Sequence, residues 1–88
     1  MLIFDFGERR HVILDVYSSK NESFSISEAT YELIREDSGE IESSGACSIY
    51  EHQIDTVVEP ESVGDYTLKI TYKILDEILI EQIGITVM

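Results

Sequence analysis

Gly64-Asp65-Tyr66-Thr67-Leu68-Lys69-Ile70-Thr71-Tyr72-Lys73-Ile74 decides the fold. In an extended chain, Tyr66, Leu68, Ile70, Tyr72 and Ile74 project to one side. Asp65, Thr67, Lys69, Thr71 and Lys73 project to the other. Apolar residues at every second position mark a strand with one dry face and one wet face. A slip of one residue would push both lysines into the interior, so the register is firmly set.

Reading outward from this strand, Leu75-Asp76-Glu77 turns the chain and a last strand runs from Ile78 to Val87. Ile78 and Ile80 share one parity, whereas Ile83, Ile85 and Val87 share the other. A bulge at Glu81-Gln82 is therefore expected. Upstream, a short strand from Ile54 to Val58 ends at Pro60, which lacks the amide a ladder requires. Another strand spans Ile41 to Tyr50, with Ile41, Ser43, Gly45, Cys47 and Ile49 inward. Small residues in its middle imply close approach by something bulky from the facing sheet, with Tyr31, Tyr66 or Tyr72 as candidates. Glu36 to Glu40 reads as a hairpin turn around Gly39. Phe24-Ser25-Ile26 opens a further strand, which resumes on the opposite parity at Ala29, Tyr31 and Leu33, so a bulge is expected at Ser27-Glu28. Ser18 to Ser23 is a loop by composition. His11 to Tyr17 is a strand with Val12, Leu14 and Val16 inward. Leu2, Phe4 and Phe6 form a first strand, closed by a polar Gly7-Glu8-Arg9-Arg10 turn. Seven short strands with polar turns predict an all-β chain, a sandwich or a small barrel, in one domain over residues 1–88. A sandwich of two antiparallel sheets is preferred, because the strand from Gly64 to Ile74 divides dry from wet along its full length.

The size sets limits. A chain of 88 residues buries about 60–65% of its unfolded surface, enough for a thin two-layer core. Eighteen acidic residues against six basic ones give a net charge of -12. That charge opposes direct contact with nucleic-acid phosphate or anionic lipid, which needs Lys and Arg. The partners it admits are basic protein surfaces or divalent cations. Cys47 is the single cysteine, so no intrachain disulfide forms, as is usual in a reducing compartment. Neither a signal peptide nor an apolar run near eighteen residues is present. A cytoplasmic or virion-associated protein, complete from its initiating Met, is the expectation.

Ser62-Val63-Gly64-Asp65-Tyr66, followed by Leu68 and Ile70, resembles the tyrosine-corner region of immunoglobulin-like domains. The resemblance puts Tyr66 at the corner, its hydroxyl bonded back to main chain, and Gly64 at the small position before it. Ser62 stands where an Asp is often found. Core Trp and the Cys pair of antibody domains are missing, and Cys47 has nothing to bridge. The wider pattern is similar to compact bacterial and phage immunoglobulin-like modules. It comprises Phe24-Ser25-Ile26, Ala29-Thr30-Tyr31-Glu32-Leu33, Ser38-Gly39, Gly45-x-Cys47-x-Ile49 and Gly64-x-Tyr66-x-Leu68, with Glu77 leading the last strand. The resemblance implies a seven-stranded immunoglobulin-like or fibronectin-like β-sandwich. It further implies a structural role in a phage or prophage virion, in a neck, tail or baseplate.

The residues themselves offer little chemistry. His11, His52, Cys47, Asp5, Asp15 and Asp55 lack zinc-ligand spacing. Glu36-Asp37-Ser38-Gly39-Glu40 lacks the alternating ligands of a calcium loop. A weak calcium site would need Glu59, Glu61, Asp76 and Glu77 at one end of the sandwich. Nucleophile elbow, phosphate loop and HExxH motifs are all absent from the sequence. The expectation is a non-catalytic module with no cofactor, which binds a protein partner or a second copy of itself. Ile3, Ile13, Tyr17, Ile34 and Tyr50 are the candidate interaction surface, and Gly64, Tyr66 and Cys47 the structural residues. Two other readings remain open. The acidity fits a decoy or inhibitor of a basic nucleic-acid-binding protein. Exposed tyrosines fit a carbohydrate-binding or surface-adhesion module.

Overall fold

A computed structural model describes residues 1–17 and 23–88. The expected loop from Ser18 lies outside the described residues up to position 22. The described residues form eight strands: β1 (Leu2–Phe4), β2 (Arg10–Asp15), β3 (Glu28–Arg35), β4 (Ile41–Ala46), β5 (Ser48–Tyr50), β6 (Gln53–Val58), β7 (Gly64–Ile74) and β8 (Glu77–Val87). Five build one sheet in the order β1-β8-β7-β3-β4, and three build the other in the order β2-β6-β5. The two sheets pack as a β-sandwich, as the alternation in the sequence predicts.

The strand from Gly64 to Ile74 lies inside the larger sheet, paired antiparallel to β8 on one side and β3 on the other. Leu68 and Ile70 have no solvent exposure, and Tyr66 and Tyr72 are buried beside them. From the facing sheet, Val12, Ile54 and Val58 complete the same cluster. On the wet side Lys69 is directly opposite Glu32, with Nζ 3.9 Å from Oε1. The dry face is therefore the one that periodicity predicts, and its burial is the main stabilising term.

Several local expectations are revised. The strand expected from Ile41 to Tyr50 is divided at Cys47, which raises the count from seven to eight. Its first part pairs with β3 in the larger sheet and its second with β6 in the smaller one. The amide of Cys47 donates to the carbonyl of Ala29 at 2.9 Å, so the strand changes sheets with that donor satisfied. β3 begins at Glu28 rather than Phe24, and its irregularity falls at Leu33/Ile34 instead of Ser27-Glu28. There Leu33 faces Ser43 but Ile34 faces Ile41, so Glu42 is the extra residue of a bulge. Ile41, expected inward, is 53% exposed as a consequence. The ring that approaches Gly45 is that of Tyr31, one of the three expected, but it comes from the adjacent strand rather than the facing sheet.

The bulge expected at Glu81-Gln82 does not form. Pairing of β7 with β8 runs unbroken from Gly64↔Val87 to Ile74↔Glu77. Ile78 and Ile80 therefore lie on the outer face, level with Lys73 and Thr71. β1 is parallel to β8, with Leu2, Ile3 and Phe4 beside Ile85, Thr86 and Val87. Phe4 is fully buried, whereas Phe6 lies beyond the strand and is 59% exposed. Residues 59–61 precede β7 and Asp76-Glu77 follow it, at opposite ends of a strand about 35 Å long. These carboxylates cannot share a calcium ion.

Gly64 takes φ +128, a conformation that strains any residue with a β-carbon, although a β-carbon there would meet nothing within 4 Å. Backbone angle rather than space requires the glycine. Gly64→Ala is expected to cost about 1–3 kcal/mol, measured as a lowered urea midpoint. An unchanged midpoint would refute the conformational role.

Candidate interaction surface

Three features outside the core bring polar groups or exposed apolar side chains together: a carboxylate cluster at one end, the outer face of the small sheet, and the outer edge of β8.

The cluster begins with the bulge. Turned inward by the extra residue, the Glu42 side chain is only 6% exposed. Tyr66 donates its phenol proton to Glu42 Oε1 at 2.7 Å. Arg35 Nη1 reaches the same oxygen at 3.4 Å, and the Glu61 amide donates to Oε2 at 3.1 Å. Ser62 Oγ lies 3.0 Å from the Tyr66 hydroxyl, and the Ser62 carbonyl lies 3.4 Å from it. Burial pushes the Tyr66 phenol up from its ordinary value, and the Glu42 carboxylate adds to that, while the Ser62 contacts pull it down. The cluster ties β3, β4 and the segment before β7 into one knot. Beside it, Arg35, Asp37, Val63 and Asp65 line a cleft of about 300 Å³. Both Glu42 carboxylate oxygens and the Ser62 and Tyr66 hydroxyls already have partners within the knot, so its chemistry is cross-linking. Among the described residues, no buried side-chain nitrogen or oxygen lacks a partner.

On the outer face of the small sheet, His11 Nδ1 is 2.8 Å from Asp55 Oδ1, and Gln53 donates to Asp15 Oδ1 at 2.8 Å. The His52 ring stacks on Phe24 at 4.0 Å, and its Nε2 donates to the Phe24 carbonyl at 3.1 Å. Cys47 Sγ lies 3.0 Å from the buried Thr56 hydroxyl, and burial pushes the thiol up from its ordinary 9.0. Alkylation of Cys47 by iodoacetamide at pH 8 is therefore expected to run several-fold slower in the native chain than in urea. Equal rates would show the thiol to be solvated. Among the described residues, no group of three or more His, Cys, Asp or Glu side chains converges to hold a metal ion.

The five residues expected to form one surface are not brought together. Ile3 and Ile34 lie on the outer side of the large sheet, at β1 and β3, and Ile34 is half-buried. Ile13 and Tyr50 lie on the outer side of the small sheet, and Tyr17 follows β2. Periodicity identified their outward direction but carries no information about which sheet each belongs to.

Missing from that set is the edge of β8. β1 covers only its last three residues, so among the described residues no strand pairs with the outer edge from Glu77 to Gly84. Ile78 is 69% exposed and Ile80 53% exposed on its outer face. Leu79 and Ile83 are half-buried on its inner face, interleaved with exposed Glu77 and Glu81. The signal was present in the sequence as two isoleucines out of phase with the core, which the expected bulge absorbed.

No protein-family model, curated protein or solved structure matches the chain. Among the described residues, no helix is long and apolar enough to cross a membrane.

Proposed function

We propose that this chain is a non-catalytic, immunoglobulin-like module that joins a protein assembly, of the kind that phage and prophage virions carry in neck, tail or baseplate. The immunoglobulin-like part is supported by strand order. β8-β7-β3 flanked by β4, over β2-β6-β5, follows the arrangement of variable-type sandwiches. The Tyr66 hydroxyl, 3.4 Å from the carbonyl of Ser62, supports a tyrosine corner at the start of the penultimate strand. In this chain the hydroxyl's shorter contact is to Glu42, so the corner is fastened by a side chain as well.

The observation that carries the interaction role is the β8 edge, unpaired among the described residues, beside exposed Ile78 and Ile80. Open strand edges invite association, and their retention costs solubility unless a partner uses them. The virion assignment is supported by the sequence resemblance alone. A density gradient of the source organism's particles, probed for this chain, tests the reading. Co-sedimentation at a fixed copy number per particle is expected. A chain found only as the free 10.0 kDa species would overturn it.

A further inference from the structure

We infer that the outer edge of β8, from Glu77 to Gly84, receives an extended segment of a basic partner protein in which Lys or Arg alternates with Ile or Val. This inference rests on the interaction-module reading and names the surface and the chemistry of its occupant.

The edge is long, unbroken in register and little protected. Residues 77–84 extend over about 26 Å. Protein edges are usually blunted by lysine, proline, bulges or inward-pointing charge. This segment has no lysine or proline, and its pairing to β7 has no register shift. Its guard is acidic: Glu81, opposite Ile70, and Glu77, opposite Ile74, lie on the inner face.

That guard decides between occupants. A second copy of this chain would add antiparallel to the same edge. The register that sets Ile78 against Ile80 also sets Glu77 against Glu81, twice across the two-fold. Directly opposed like charges destabilise a strand pair. Centring on Ile80 removes that clash and sets Ile80 against its own copy, but pairs Ile78 with Gln82 and Glu81 with Leu79. The match at Ile78 is then lost and a carboxylate faces a leucine. Two copies would also bring together net charges of -12 each.

A basic strand meets neither obstacle. Its Lys or Arg side chains fall on the inner parity, opposite Glu77 and Glu81. Its Ile or Val side chains fall on the outer parity, opposite Ile78 and Ile80. Side-chain period two puts these two demands on opposite faces of the added strand, so an alternating segment meets both. Main-chain hydrogen bonds supply affinity, and the alternating pattern supplies selectivity. The net negative charge adds long-range attraction for such a segment.

The test uses synthetic ten-residue peptides with the full chain near physiological salt. One alternates lysine with isoleucine and valine. A second replaces each lysine by glutamate, and a third replaces the apolar residues by serine while keeping the charge. Fluorescence anisotropy should show binding of the first alone, with amide-exchange protection gained at residues 77–84. The exposed-site double variant I78S/I80S should weaken binding by about tenfold with an unchanged urea midpoint. Equal binding of the glutamate or serine peptide overturns the proposal, and so does binding of no peptide. Protection confined to the small sheet overturns the edge assignment and leaves the interaction-module reading intact. Failure of that broader reading is seen separately, in the particle gradient.

Discussion

Cutting Leu68 back to alanine lowers the free energy of unfolding by about 3–5 kcal/mol. Leu68 has no solvent exposure and sits midway along β7, directly opposite Leu33 on one side and Ile83 on the other. Strands hydrogen-bonded on both sides cannot close over the space left behind, so the cavity term adds to the lost transfer energy. A domain of 88 residues is stable by about 4–13 kcal/mol, so this one side chain represents a large share. Lys69, one position on, provides the contrast. Its ammonium is 3.9 Å from Glu32 on a partly exposed surface, a pairing worth about 0–1 kcal/mol. Urea titration followed by circular dichroism compares L68A with K69A directly. Similar losses at the two positions would contradict the dry-face, wet-face division on which the sandwich depends.

That division was legible because β7 keeps strict period two for its whole length and has turn residues at both ends. The resemblance to a tyrosine corner singled out Gly64 and Tyr66, and the part of that corner that is local, Ser62 beside the Tyr66 hydroxyl, is where it was expected. Where the reading failed, the determinants were not local. Glu42 stands between Ile41 and Ser43, and alternation alone assigns it to water. Only the pairing with β3 reveals the extra residue that turns it inward. Alternation also continues through Cys47, because a strand that crosses between sheets keeps the same inward side chains. The parallel pairing of β1 with β8 joins the two ends of the chain, and no short-range pattern encodes it. Ile78 and Ile80 misled for the opposite reason. Isoleucine normally signals burial, so two of them out of phase read as a kink rather than an exposed edge.

Removing the Tyr66 hydroxyl tests the cluster that the bulge creates. Y66F keeps the ring in the core and deletes only the 2.7 Å bond to Glu42 and the contacts to Ser62. Near neutral pH the expected cost is about 1–3 kcal/mol, because a nearly buried carboxylate loses its shortest bond. Glu42→Ala should be of the same order. Arg35 is one-third exposed and lies 3.6 Å from Asp37, so it is not left as an isolated buried charge. In a double-mutant cycle the two changes should couple by about 0.5–3 kcal/mol. The pH dependence has a definite sign. The phenol's pKa is raised above its ordinary 10.0 in the folded chain, chiefly by burial. Above that value an unfolded tyrosine releases its proton while the native one retains it, so the unfolded state binds fewer protons and stability falls as pH rises. Y66F has no proton to lose there. Tyr72 and Cys47, also raised, are common to both proteins and cancel in the difference. The gap between wild type and Y66F is therefore fully present below pH 10 and narrows above it. A gap that stays constant, or widens, through the alkaline range would show that the Tyr66 hydroxyl is not held protonated in the buried cluster.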